Sequence, residues 1–200
     1  MTVATQQQSY PLLRLVRRLW GNEDYTASIE FVARMIDEVH ALPEGHAVVE
    51  CGSGLTTAIG LLHISDPVLW YAYENDENHL ANLLTRISVP HVQRPNVCLT
   101  TLEDGGDNFD WYQLGPTLDD APPIGLVVCD GPRGDTRGGR YGAMPMLWDH
   151  LADDYVILLD DAHRDAEKKV LSEWAVDYGA ISCTHECEDG RAFATIRGTK

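Results

Sequence analysis

The stretch that decides the fold is Val48-Val49-Glu50-Cys51-Gly52-Ser53-Gly54-Leu55-Thr56-Thr57. An apolar run enters it from Ala47 and an acid stands near the end of that run. Two glycines follow, and a helix-compatible run begins behind them. This is the pattern of the first strand of an α/β sheet, the turn at its carboxyl edge, and the helix that returns over the sheet. Strands of open α/β sheets deliver ligands to their carboxyl ends. Gly52 and Gly54 carry no Cβ, so a ligand can approach the backbone closely. The helix N-terminus after Gly54 offers N–H groups that have no partner within the helix.

Working outward, Ala47–Cys51, Val68–Tyr73, Val97–Thr101, Ile124–Cys129 and Tyr155–Leu159 are expected as strands. Leu55–His63, Glu77–Ile87, Tyr141–Leu151 and Arg164–Tyr178 are expected as the helices between and after them, with Pro145 pushing one start toward Ala143. Ala180–Glu186 and Arg191–Arg197 flank Glu188-Asp189-Gly190, an Asp-Gly hairpin signal. Five strands alternating with helices imply a doubly wound, mostly parallel α/β sheet, to which the hairpin adds an antiparallel edge. Residues 1–45 read as an N-terminal helical extension packed on a core of residues 46–200. Its first helix carries Leu12, Leu15, Val16 and Leu19 and stops at Gly21-Asn22; residues 1–9 read as a frayed tail. Thr26 or Ser28 caps a second helix with a stripe of Ile29, Val32, Ala33, Ile36 and Val39. Asp104–Pro123 is expected to be a loop with a short helical turn, in which Trp111 and Tyr112 are placed to line a pocket.

The formal net charge of −16 argues against a nucleic-acid partner, which requires a basic footprint, and against adhesion to an anionic membrane. No run approaches the ~18 apolar residues of a membrane span, and the N-terminus does not read as a signal peptide. The five cysteines are an odd number, and three sit in strand-like runs, the usage of a reducing cytoplasm. A homodimer is compatible with these features. Cys183, His185 and Cys187 alternate onto one strand face, but no second cysteine pair stands at zinc-site spacing.

Glu50, Glu74, Asp130, Asp160 and Asp161 each end or follow an expected strand. In a parallel sheet these ends share one edge, where carboxylates repel one another unless a cation or hydroxyl offsets them. Glu74 suits a ribose diol, as acids at this place do in dinucleotide folds. The turn lacks the third glycine of Gly-x-Gly-x-x-Gly, having Thr57 there, and a pyrophosphate disfavours Glu50. A cationic ligand without phosphate fits better.

The motifs resemble those of class I S-adenosylmethionine-dependent methyltransferases. Val-Val-Glu-Cys-Gly-Ser-Gly (48–54) resembles the first motif of that fold and Tyr-Ala-Tyr-Glu-Asn (71–75) the second. More narrowly, the chain resembles the bacterial family labelled methyltransferase domain 24, through residues 100–112, 126–134, 140–145 and 156–164. The resemblance implies a seven-stranded Rossmann-like sheet. It implies that Glu50, Gly52 and Gly54 face the methionine part of S-adenosylmethionine, with Ser53 and Thr56 nearby. Glu74 would hold the ribose, Asn75 would lie against the adenine, and Leu102 and Glu103 would border it. Asp130, with Gly131 beside it, would stand near the cofactor's amino group or the reacting centre.

A hydroxyl acceptor benefits from a base or a metal ion. His163 is the expected base, because imidazole titrates near neutrality and the residue follows the acids of the fifth strand. Asp130, Asp160 and Asp161 raise a Mg²⁺ site, as in catechol-type O-methyltransferases, with Asp161 where those enzymes have an amide. The Arg133, Arg137 and Arg140 segment is glycine-rich and reads as a mobile loop able to grip an anionic group. The function expected is methyl transfer from S-adenosylmethionine to a small-molecule acceptor, at a hydroxyl oxygen. An NAD-dependent oxidoreductase on a similar fold and a non-catalytic cofactor-binding relative remain as alternatives.

Overall fold

A computed structural model describes residues 10–21, 26–87, 96–106 and 108–200. The expected frayed tail and Asn22 of the first helix stop lie outside them. Strands β1 (Ala47–Cys51), β2 (Trp70–Glu74), β3 (Asn96–Leu99), β6 (Ile124–Cys129), β7 (Leu151–Leu159), β8 (Ile181–Glu186) and β9 (Ala192–Thr199) form one sheet. Its order is β3-β2-β1-β6-β7-β9-β8. The first five are parallel, and β9 pairs antiparallel with both β7 and β8. The seven-stranded, mostly parallel sheet with its antiparallel hairpin is the one expected.

Two helical layers cover it because the strands alternate. Ala47, Val49, Cys51, Tyr71, Tyr73, Val127, Cys129, Ile157 and Leu159 face one core, shared with α5 (Ala143–Leu147) and α6 (Asp165–Tyr178) through Met144, Val170 and Trp174. Val48, Trp70, Ala72, Leu126, Val128 and Leu158 face the other, shared with α2 (Ile29–Ala41) and α3 (Leu55–His63) through Phe31, Met35 and Ile59. Ser28, not Thr26, caps α2: its Oγ accepts the Phe31 N–H at 3.2 Å. Helix α1 (Pro11–Trp20) lies against α2, and α4 (Glu77–Arg86) against α3 and β2. No helix among the described residues is long and apolar enough to cross a membrane.

Three local expectations are corrected. The short helical turn expected within Asp104–Pro123 is present at Gly115–Thr117, but ahead of it β4 (Leu102–Gly106) pairs with β5 (Phe109–Tyr112) as an antiparallel ribbon rather than a loop. Phe109, Trp111 and Tyr112 supply the cause, since all three are buried in the α5–α6 core. The helix expected over Tyr141–Leu151 is short, and β7 starts at Leu151, because Leu151 and Tyr155 find places in the same core. The residues around Arg137 and Arg140 are not a free loop. A Cβ on Gly138 would stand 2.4 Å from Phe109 Cβ, and one on Gly142 2.5 Å from the Trp111 ring. The segment is clamped onto the ribbon, and Arg137 pairs with Asp104 and Asp110 there.

Candidate active site at the carboxyl edge of the sheet

Four backbone hydrogen bonds carry the sheet ladder one residue past the strand ends. Gly52 N donates to Tyr73 O, Asp130 N to Cys51 O, Asp160 N to Cys129 O and Thr100 N to Glu74 O, at 2.8–3.0 Å. Glu74, Gly52, Asp130 and Asp160 are therefore held level on one edge. A cavity of about 580 Å³ opens there. Gly52, Ser53, Glu74, Asn75, Asp130 and Gly131 line it.

The two turns meet backbone to backbone. Gly52 has φ +84°, and a Cβ on it would come 3.1 Å from Gly131 N. A Cβ on Gly131 would lie 2.3 Å from Tyr112 Oη and 3.0 Å from Gly52 Cα. Neither position accepts a side chain without displacing the other turn. Beside them the Glu74 carboxylate is fixed by four donors. Ser53 N and Oγ donate to Oε2 at 3.0 Å each. Asn75 N and Asp76 N donate to Oε1 at 2.8 and 2.9 Å. Asp76 caps α4 by accepting the His79 N–H, and His79 Nε2 lies 2.6 Å from Ser53 O. The acid, the turn and α4 thus form one hydrogen-bonded unit.

On the other side of the cavity, oxygens of Asp130, Asp160 and Asp161 lie within 4.8 Å of one another. Burial and then Asp160 push the Asp130 carboxyl well above the usual range, and burial and then Asp161 push Asp160 upward. Asp160 Oδ1 is buried with no hydrogen-bond partner among the described residues. Asp161 has φ +59°, a left-handed conformation that is costly for a residue with a side chain and is typical of functional turns. Two arginines hold its Oδ2: Arg140 at 2.9 Å and Arg164 at 2.8 Å. Burial opposes the charge of Arg140, but Asp130 and Asp161 more than offset it and raise its pKa.

Other expected site residues stand elsewhere. Glu50 is fully buried on the α2–α3 side of β1 and does not line the cavity. Thr56 Oγ1 and Trp70 Nε1 donate to its two oxygens at 2.5 and 2.8 Å. Burial raises its carboxyl to about 7. Thr56 is drawn away with it, and Gly54 starts α3 behind the turn, its N–H donating to Thr57 Oγ1. Leu102 and Glu103 belong to the ribbon, outside the cavity lining. Trp111 is core, whereas Tyr112 reaches the cavity as expected. His163 is turned toward β9, where its Nδ1 accepts the Ala192 N–H at 3.3 Å, and it too is absent from the lining.

Asp76, His79, Arg164 and Arg191 line the cavity without having been singled out by sequence. Asp76 and His79 had a legible signal, an acid at a helix start three residues before an imidazole. Arg191 had none, because only the hairpin brings it to the edge.

A scan against models of known protein families and a search of curated proteins returned no match. Solved structures do resemble the chain. An O-methyltransferase from Bacillus cereus in complex with SAH is 12% identical, with a TM-score of 0.68 over 98% of this chain and 94% of that one. TomG of Streptomyces achromogenes, an O-methyltransferase involved in tomaymycin synthesis and solved with SAM, is 14% identical, with a TM-score of 0.64 over 98% and 92%. An rRNA methylase from Streptococcus thermophilus is 14% identical, with a TM-score of 0.55 over 83% and 94%. The likeness is one of fold: the chain has the Rossmann-like fold of the S-adenosylmethionine-dependent methyltransferases.

Proposed function

We propose that the chain is a class I S-adenosylmethionine-dependent methyltransferase that acts on a hydroxyl oxygen of a small molecule. The observation that carries this reading is the Glu74 carboxylate, preorganised by four donors beside the Gly52–Ser53 turn at the rim of the cavity. A carboxylate so placed accepts hydrogen bonds from a ribose diol when the Ser53 hydroxyl turns aside. The Gly52–Gly131 contact packs the two turns together at the wall of the cavity, which both line, and no phosphate-binding third glycine follows. The narrower likeness to methyltransferase domain 24 is carried by the motifs alone.

Bound S-adenosylmethionine would supply a methyl group on a cationic sulfur. The chain's own residues do the rest. Asp130, on the far side of Gly52, favours the ammonium and sulfonium charges by proximity. Asn75, next to Glu74, borders the nucleoside side. The acceptor hydroxyl has to lose a proton as its oxygen is methylated. Asp130 and Asp160, which both line the cavity, are the carboxylates available to take it. Burial raises the basicity of both carboxyls, which favours that transfer. His163 is given no chemical role, because its Nδ1 is engaged by Ala192. The large acidic excess favours a small acceptor over RNA.

Calorimetric titration separates this reading from the oxidoreductase alternative. S-adenosylhomocysteine is expected to bind with a Kd of about 1 μM, and NADH, followed by fluorescence, not at all. Binding of NADH without either adenosyl sulfur compound would overturn it.

A further inference from the structure

The three carboxylates at the ends of β6 and β7 stand at the positions that the catechol-type pattern gives to a divalent ion, with Asp161 in place of the amide, and they do converge. The place among them is taken by a side chain. Arg140 Nη2 lies 3.2 Å from Asp130 Oδ1 and 2.9 Å from Asp161 Oδ2. Nη2 also donates to Asp130 O at 3.0 Å, and Nη1 donates to Asp160 O at 2.6 Å. The guanidinium thus bridges the carbonyls of both strand ends and two of the three carboxylates. It is 3% exposed. Its backbone is fixed too, between Gly138 on Phe109 and Gly142 on Trp111, and Tyr141 O accepts the Trp174 indole N–H at 2.9 Å. An ion taking these oxygens at about 2.1 Å would have to expel a buried guanidinium from a clamped segment.

The charges agree with the geometry. Three carboxylates with one divalent ion leave one negative charge. Arg140, together with Arg164 on Asp161, leaves the same balance when all three acids are ionised. We propose that Arg140, seconded by Arg164, is the resident cation of this edge, standing where metal-dependent methyltransferases would hold Mg²⁺, and that the chain binds no divalent ion there. A guanidinium offers directed N–H groups but no Lewis acidity. Activation of the acceptor then falls to Asp130, whose carboxylate Arg140 holds, and to Asp160, whose backbone carbonyl it holds. That last consequence rests on the methyltransferase reading; the occupancy of the site does not.

The test is titration of the full-length protein with Mn²⁺, followed by electron paramagnetic resonance, with Mg²⁺ competition. The wild type is expected to show no stoichiometric site tighter than about 1 mM, and EDTA is expected to leave its affinity for S-adenosylhomocysteine unchanged. Arg140→Ala opens the space and is expected to gain at least tenfold in Mn²⁺ affinity, a gain lost again in Arg140→Ala/Asp161→Asn. Stoichiometric, Mg²⁺-displaceable Mn²⁺ in the wild type that Asp161→Asn abolishes would overturn the proposal. So would a folded Arg140→Ala protein that gains none. If circular dichroism shows that the variant does not fold, the wild-type titration decides alone. Loss of S-adenosylhomocysteine binding in the wild type would count against the methyltransferase reading and leave the metal result legible.

Discussion

Glu50 stands one residue before the end of β1 and Glu74 at the end of the neighbouring β2; both are buried, yet their carboxylates are used differently. Glu74 is held by four hydrogen-bond donors at the cavity, three of them backbone N–H groups. Glu50 has a hydroxyl and an indole N–H in an otherwise apolar layer. Its raised pKa has a consequence for stability. A carboxyl that stays protonated to about pH 7 in the fold but titrates at its usual lower value when unfolded favours the fold at acid pH. That contribution is lost as the pH rises through the interval between the two values. The unliganded wild type should lose stability across that interval, by on the order of 3 kcal/mol from this group. Glu50→Gln should flatten the slope, since its carbonyl can still accept from Trp70 and its amide can donate to Thr56. Urea unfolding at pH 5 and pH 8 measures this, and an unchanged slope would contradict it. Both acids were legible as strand-end residues. Their different roles were not, because alternation puts both on the α2–α3 side, Glu50 with Val48 and Glu74 with Trp70 and Ala72; what separates them is register, Glu50 lying opposite Ala72 inside the sheet while Glu74 is the last residue of β2, at the rim.

At the scale of elements, the turns after β1 and β6 act as one part. Gly131→Ala would drive a methyl group into Tyr112 Oη and the Gly52 backbone. It should cost about 1–3 kcal/mol of stability and weaken S-adenosylhomocysteine binding; urea midpoints and calorimetry report both. Helix α3 packs on β2 through Gly60, where a Cβ would lie 2.0 Å from the Trp70 ring. Gly60→Ala should therefore destabilise the fold by a similar amount while leaving the cavity side of the sheet intact. His163 ties the turn after β7 to the start of β9. His163→Ala should lower stability by about 1 kcal/mol and leave S-adenosylhomocysteine affinity unchanged. A large loss of affinity would return His163 to the site. The β4–β5 ribbon shows why element type can mislead. Gly105 and Gly106 suggest a loop, but the aromatic residues that follow are drawn into the core, and tertiary burial overrides local propensity.

For the whole molecule, strand periodicity and the terminal hairpin made the sheet readable, because each strand's alternation is local in sequence. The site was readable only in part. Its strand-end acids and its glycines follow from the sheet. Arg140, Arg191 and the Trp70 partner of Glu50 come from contacts between elements distant in sequence, which no local pattern encodes. The acidic excess, which counts against a long polyanionic acceptor, coexists with four arginines around the cavity, so the local field there is more positive than that of the chain as a whole. The most direct test of the account is the ratio of S-adenosylhomocysteine affinities in wild type and Glu74→Ala, measured by calorimetry on proteins of matched folding. The account predicts binding by the wild type and a loss of at least tenfold, about 1.4 kcal/mol, in the variant. Equal affinities, or no binding by the wild type, would contradict it.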